Sequence, residues 1–169
     1  MFVSTVFGAL ALINGWDYQY NDITELRGRD FDYCREACRN TQECEGFVMN
    51  RERYGCWLKN EFGQGVQNQA RDTFVRGPDF DKYKPYYDVD IQYGDLYERP
   101  NMPFKLCAQE CSQNYYCRAF VFNRPRGRGC WFKSQIGNGN RDYNRQVFVK
   151  VQFRGKQVKE LQIVEEMDQ

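Results

Sequence analysis

Eight cysteines fall into two sets of four whose spacing nearly repeats: C-x3-C-x5-C-x11-C from Cys34 to Cys56, and C-x3-C-x5-C-x12-C from Cys107 to Cys130. The sequence around them repeats as well, CREACRNTQECEGFVMNRERYGCWLK at 34–59 returning as CAQECSQNYYCRAFVFNRPRGRGCWFK at 107–133. Irregular intervals kept in both sets mark an internal duplication, so the chain is two copies of one unit. The register extends beyond the cysteines. A shift of 73 pairs Asp17, Gln19, Tyr20, Asp22, Ile23 and Glu25 with Asp90, Gln92, Tyr93, Asp95, Leu96 and Glu98. After one inserted residue near Gly127, a shift of 74 pairs Gly63, Gly65, Arg71, Phe74 and Val75 with Gly137, Gly139, Arg145, Phe148 and Val149.

The 169 residues therefore divide into modules at 16–78 and 87–152, joined by a connector at 79–86 and followed by a tail at 153–169. Domains of sixty-odd residues bury little apolar surface and need staples. Four cysteines at matching positions in each module read as a disulfide framework, hence an oxidising, extracellular compartment. The competing reading is a four-thiolate zinc site, but zinc ligands come as tight pairs, and here the last two cysteines are eleven or twelve residues apart.

The chain has no histidine. That removes Ser/His and Cys/His nucleophilic catalysis and the commonest metal ligand. The carboxylate pairs Asp22/Glu25 and Asp95/Glu98 read as turn or cap residues, so the expectation is a protein without catalytic residues, metal or cofactor.

Residues 1–15, MFVSTVFGALALING, are mostly apolar and too short to span a bilayer as a helix. They read either as a signal peptide, whose basic n-region is missing, or as a retained apolar segment packed against the protein. WDYQYNDI (16–23) suits a first strand. Phe31, Cys34 and Cys38 share one face of a short helix over 30–40, as do Phe104, Cys107 and Cys111, with Pro103 in the first turn of that second helix. Phe47, Val48 and Met49, like Phe120, Val121 and Phe122, put apolar groups on both faces of a strand, as a central strand does. Cys56–Lys59 and Cys130–Lys133 read as returning strands, and Phe74-Val75 and Phe148-Val149 close each module. The proline-containing connector reads as stiff. The tail is open between a helix, from Val158, Leu161 and Val164, and a strand added to a sheet edge.

The pattern C-x3-C-x5-C-x-[GA]-F-V followed by G-C-W-[LF]-K resembles the PAN/apple module, over both repeats and most of the chain. The resemblance implies an α+β fold of two tandem disulfide-stapled modules, each a short helix packed across a curved antiparallel sheet. It also implies bridges Cys34 to Cys56, Cys38 to Cys44, Cys107 to Cys130 and Cys111 to Cys117; cysteine counting alone allows three pairings per module. The third bridge of many family members has no cysteines here. The function implied is binding of an extracellular protein or glycan by a secreted protein, adhesin or lectin in type.

The modules differ in charge. Residues 16–78 carry nine Lys/Arg against eleven Asp/Glu, and residues 87–152 ten against six. Opposite charges of this kind suit self-association, which supports a second reading: a subunit of an extracellular filament, coat or matrix assembled head to tail. Candidate binding residues are Arg51 and Arg53 in the first tip loop, NRERYG, and Arg124, Arg126 and Arg128 in the second, NRPRGRG. Three guanidinium groups on one tip suit sulfate, phosphate or carboxylate partners. Tyr115 and Tyr116 at a helix end are candidates for stacking on sugars or proteins, while Trp57 and Trp131 read as buried structural residues. No nucleic-acid module, no membrane span and no N-glycosylation sequon is found in the sequence.

Overall fold

The computed structural model describes residues 10–77 and 82–164. The first module runs β1 (Leu10–Tyr18), β2 (Asp22–Leu26), α1 (Phe31–Asn40), β3 (Gly46–Asn50), β4 (Cys56–Lys59) and β5 (Gly65–Arg76). The second repeats it as β6 (Tyr83–Asp90), β7 (Asp95–Pro103), α2 (Phe104–Gln113), β8 (Ala119–Asn123), β9 (Arg128–Lys133) and β10 (Gly139–Lys150). The tail adds β11 (Gln152–Phe153), β12 (Lys156–Gln157) and β13 (Ile163–Val164). The strands of the first sheet lie in the order β1-β5-β3-β4-β2, and those of the second in the order β13-β10-β8-β9-β7, with β6 also on β10.

Where one first strand is expected at 16–23, there are two. β1 begins at Leu10 and ends at Tyr18, and β2 starts after a turn in which Asn21 has φ +66°. Residues 10–14 pair along β5 from Arg76 to Asp72, so the last part of the apolar N-terminal segment is sheet, while residues 1–9 lie outside the described residues. The same offset recurs at the expected connector: residues 83–86 belong to β6, and 79–81 lie outside the described residues.

Asp30 caps α1, accepting the Tyr33 N–H at 2.9 Å, which satisfies a donor the helix leaves unpaired. Pro103 stands one position earlier than expected, as the N-cap residue of α2, and has no side chain to offer the cap. Cys34 and Cys38 face inward from α1 and bond to Cys56 and Cys44, while Cys107 and Cys111 on α2 bond to Cys130 and Cys117.

The central strands are apolar on both faces because each face has its own cover. Phe47 and Met49 of β3 pack with Cys34, Cys38, Leu58 and Phe74 beneath α1. Val48 points the other way, into a cluster holding Ala11, Ile13, Trp16, Tyr18 and Val75 of the first module together with Phe104, Phe120, Phe122, Phe132 and Phe148 of the second. The back of the second sheet, Ala119, Val121, Val147 and Val149, is covered by the tail through Leu161 and Val158. The tail thus takes the strand alternative: Ile163–Val164 pair in parallel with Gly139–Asn140. Residues 165–169 lie outside the described residues.

The modules dock through the tip loop carrying the inserted residue. The Gly65 N–H donates to the Pro125 carbonyl at 2.6 Å, the Tyr18 hydroxyl to the Arg124 carbonyl at 3.2 Å, and the Gln146 amide to the Leu12 carbonyl at 3.0 Å. Gly127 has φ +64°, and a Cβ there would run into the Gly63 carbonyl and the Tyr18 ring, so the approach requires glycine.

Candidate functional site

The arginine tips separate by environment. In the first module Arg51 and Arg53 are both exposed; Arg51 binds Asn14 Oδ1 at 2.5 Å and lies 3.6 Å from Asp72, while Arg53 stands over the Phe31 ring at 5.7 Å. The expectation of three guanidinium groups displayed on the second tip is corrected. Arg124 is fully buried, paired with Asp88, donating to the Tyr143 carbonyl and lying 5.2 Å over the Trp16 ring. Arg128 bridges the modules to Glu61 at 2.5 Å and donates to the Asn101 carbonyl at 3.1 Å. Arg126 is exposed. Docking of this loop onto the first module is the reason for the dispersal.

Trp57 and Trp131 are half-buried rather than core residues, each covered by an arginine, Arg71 or Arg145, at 4.7 Å. A guanidinium over an indole face combines dispersion with cation–π attraction and holds the arginine in place. Trp57 lies at a surface cleft of about 300 Å³ lined by Asp17, Gln19, Asp22, Trp57, Lys59 and Arg71. All six side chains return in the second module as Asp90, Gln92, Asp95, Trp131, Lys133 and Arg145, each in the same burial class as its counterpart.

The geometry of the two sets matches. Lys59 is buried and pairs with Asp22 at 2.5 Å, as Lys133 pairs with Asp95 at 2.5 Å. Lys59 also donates to the Tyr20 carbonyl at 3.0 Å, fixing the turn beside Gln19. The tyrosine of that turn is the most exposed large hydrophobic residue of its module, Tyr20 at 73% and Tyr93 at 81%. Burial raises the Asp90 carboxyl above the usual aspartate range against the opposing pull of Lys133, with Asp142 adding to the rise and Arg145 opposing it. Asp90 therefore takes up a proton at higher pH than an exposed aspartate does.

Each set offers a carboxylate, an amide and a guanidinium, with an exposed tyrosine in the adjoining turn, a combination that suits a polyhydroxylated ligand. Sequence reasoning paired most of these residues in register but read Trp57 and Trp131 as core, read Asp22 and Asp95 as turn or cap residues, and proposed none of the set for binding. The available signal was that the shift of 73 or 74 repeats polar residues which a core does not require.

Tyr115 and Tyr116 are exposed at the end of α2, edge to face at 5.4 Å, with Arg154 of the tail 4.2 Å over Tyr115. Asp22 is engaged by Lys59 and Asp95 by Lys133, while Glu25 pairs with Arg27 at 3.1 Å. Among the described residues, no cluster of metal-ligating side chains occurs and no helix is long and apolar enough to cross a membrane.

The sequence profile of the PAN domain matches residues 13–59 and 86–133, together more than half of the chain. No curated protein matches. Among solved structures, the chain is similar to the solution ensemble of the two N-terminal apple domains of Toxoplasma gondii microneme protein 4. The identity is 16% and the TM-score 0.42, over 92% of this chain and 100% of that one.

Proposed function

The chain belongs to the PAN domain family, whose modules commonly mediate protein or carbohydrate binding, and from that membership we propose a secreted, lectin-like protein that binds glycans at two equivalent sites. Secretion is supported by the four disulfides, which persist in oxidising compartments. The observation that carries the glycan reading is the cleft of the first module, whose six lining side chains recur in the second. The exposed tyrosine of the adjoining turn can stack on the apolar face of a pyranose, while the carboxylate, amide and guanidinium groups take up its hydroxyls. A volume of about 300 Å³ suits one or two sugar rings rather than a peptide helix.

Glycan-array screening followed by titration calorimetry with the best neutral oligosaccharide tests this reading. The expected stoichiometry is two per chain, falling to one in either Gln19→Ala or Gln92→Ala and to none in the double variant; both glutamines are exposed, so the fold is not at issue. Binding at one site per chain that is indifferent to both substitutions, or silence across the array, would refute it.

A further inference from the structure

The largest cavity described on the surface, about 640 Å³, lies between the second module and the tail. Its lining includes Arg118 from the module, Phe153, Arg154, Lys156 and Lys159 from the tail, and a single carboxylate, Glu160. Glu160 is already taken by Lys84. Both arginines stand over one ring: Arg118 lies 4.6 Å from the Phe153 centroid and Arg154 4.9 Å from it. Arg154 also covers Tyr115, whose ring continues the surface toward Tyr116.

Four cations held along one groove repel one another, and among the described residues no free carboxylate of the lining offsets them. Aromatic stacking pre-orients the guanidinium forks without consuming their hydrogen-bond donors, which is the arrangement suited to sulfate or carboxylate oxygens.

We propose that this groove binds a sulfated polysaccharide, with Arg118, Arg154, Lys156 and Lys159 on its sulfates and Tyr115 and Tyr116 on its sugar rings. The choice among polyanions rests on the extracellular reading above, since nucleic acid is not the abundant polyanion of that compartment. The site is separate from the cleft and from its counterpart residues in the second module, and depends on tail residues that lie beyond both segments matched by the PAN domain profile.

The test is calorimetric titration of the full chain with a size-defined heparin oligosaccharide, beside its desulfated form, poly-glutamate and single-stranded DNA. The sulfated probe is expected to bind one per chain, and at least tenfold more tightly than any of the other three. Arg154→Gln/Lys156→Gln/Lys159→Gln should weaken it tenfold or more and lower the slope of log affinity against log salt by about two to three, one ion released per lost contact. Arg118→Gln, outside the tail, should weaken it several-fold even if the tail variant loses its hairpin. Arg51→Gln/Arg53→Gln should have no effect, and neutral glycan binding at the clefts should survive all these changes, so the two readings fail separately. Equal binding of the desulfated form, poly-glutamate or DNA, or unchanged affinity in the variants at the groove, overturns the proposal. So does a tenfold gain on neutralising Glu165, Glu166 and Asp168, which would assign the groove to the chain's own end.

Discussion

Arg51 and Arg124 occupy the same place in the two copies, yet one is exposed and the other fully buried. The difference lies in what each loop meets. The first tip faces solvent, whereas the second is pressed against Trp16 and Tyr18, so the Arg124 guanidinium exchanges water for Asp88, the Tyr143 carbonyl and an indole face. Two of its nitrogens, Nε and Nη1, find no hydrogen-bond partner there. Breaking a buried ion pair leaves its partner desolvated. Arg124→Ala should therefore cost about 3 kcal/mol in urea unfolding, the low end for such pairs because Asp88 keeps about a third of its surface in water. Arg126→Ala, at an exposed position of the same loop, should stay within about 0.5 kcal/mol of wild type. Equal effects would mean that Arg124 is not the anchor of the loop.

At the scale of elements, each helix is fastened by two bridges that close loops of unequal length. Cys34–Cys56 spans 22 residues, from α1 to β4, and Cys38–Cys44 spans 6, from α1 to the end of the loop before β3. Loop-closure entropy assigns about 3 kcal/mol to the first and about 2 kcal/mol to the second. The double replacements Cys34→Ala/Cys56→Ala and Cys38→Ala/Cys44→Ala, compared by chemical unfolding, should fall in that order. The reverse order would show that restraint of the unfolded chain is not what these bridges supply. Strand boundaries obey a different logic: β1 and β6 begin six and four residues before the module boundaries expected at 16 and 87, because their early residues pair along β5 and β10.

Across the whole molecule, the opposite module charges act within one chain. Lys105 of the second module pairs with Glu45 of the first at 2.5 Å, beside the Arg128–Glu61 bridge. The charges that suggested head-to-tail assembly thus meet in part across the module interface of one chain; residues 10–14 are strand, and part of the tail covers the second sheet. A core shared by both modules should melt as one unit. Differential scanning calorimetry is expected to give a single transition whose calorimetric and van't Hoff enthalpies agree. Gly127→Ala, whose methyl meets the Gly63 carbonyl, should lower that midpoint. Two separate transitions in the wild-type chain would show that the modules fold independently.

How much of this was legible in the sequence follows from what each signal depends on. Local and repeated patterns carried the modules, the two helices and the central strands, because helix faces, strand alternation and cysteine spacing are properties of short stretches compared with one another. The PAN resemblance supplied the helix-on-sheet architecture. The clefts were half visible, since the register paired their residues, but a line of sequence does not show that Arg71 folds over Trp57 or that Tyr20 stays in water. Only the tertiary structure decided what covers the second face of each sheet, a neighbouring module in one case and the tail in the other. It alone turned the arginines of one loop into a buried anchor, an ion-pair bridge and a solvated side chain. Burial and partner choice depend on surfaces brought together across as many as 57 to 134 residues of chain, and the sequence determines those surfaces without displaying where they meet.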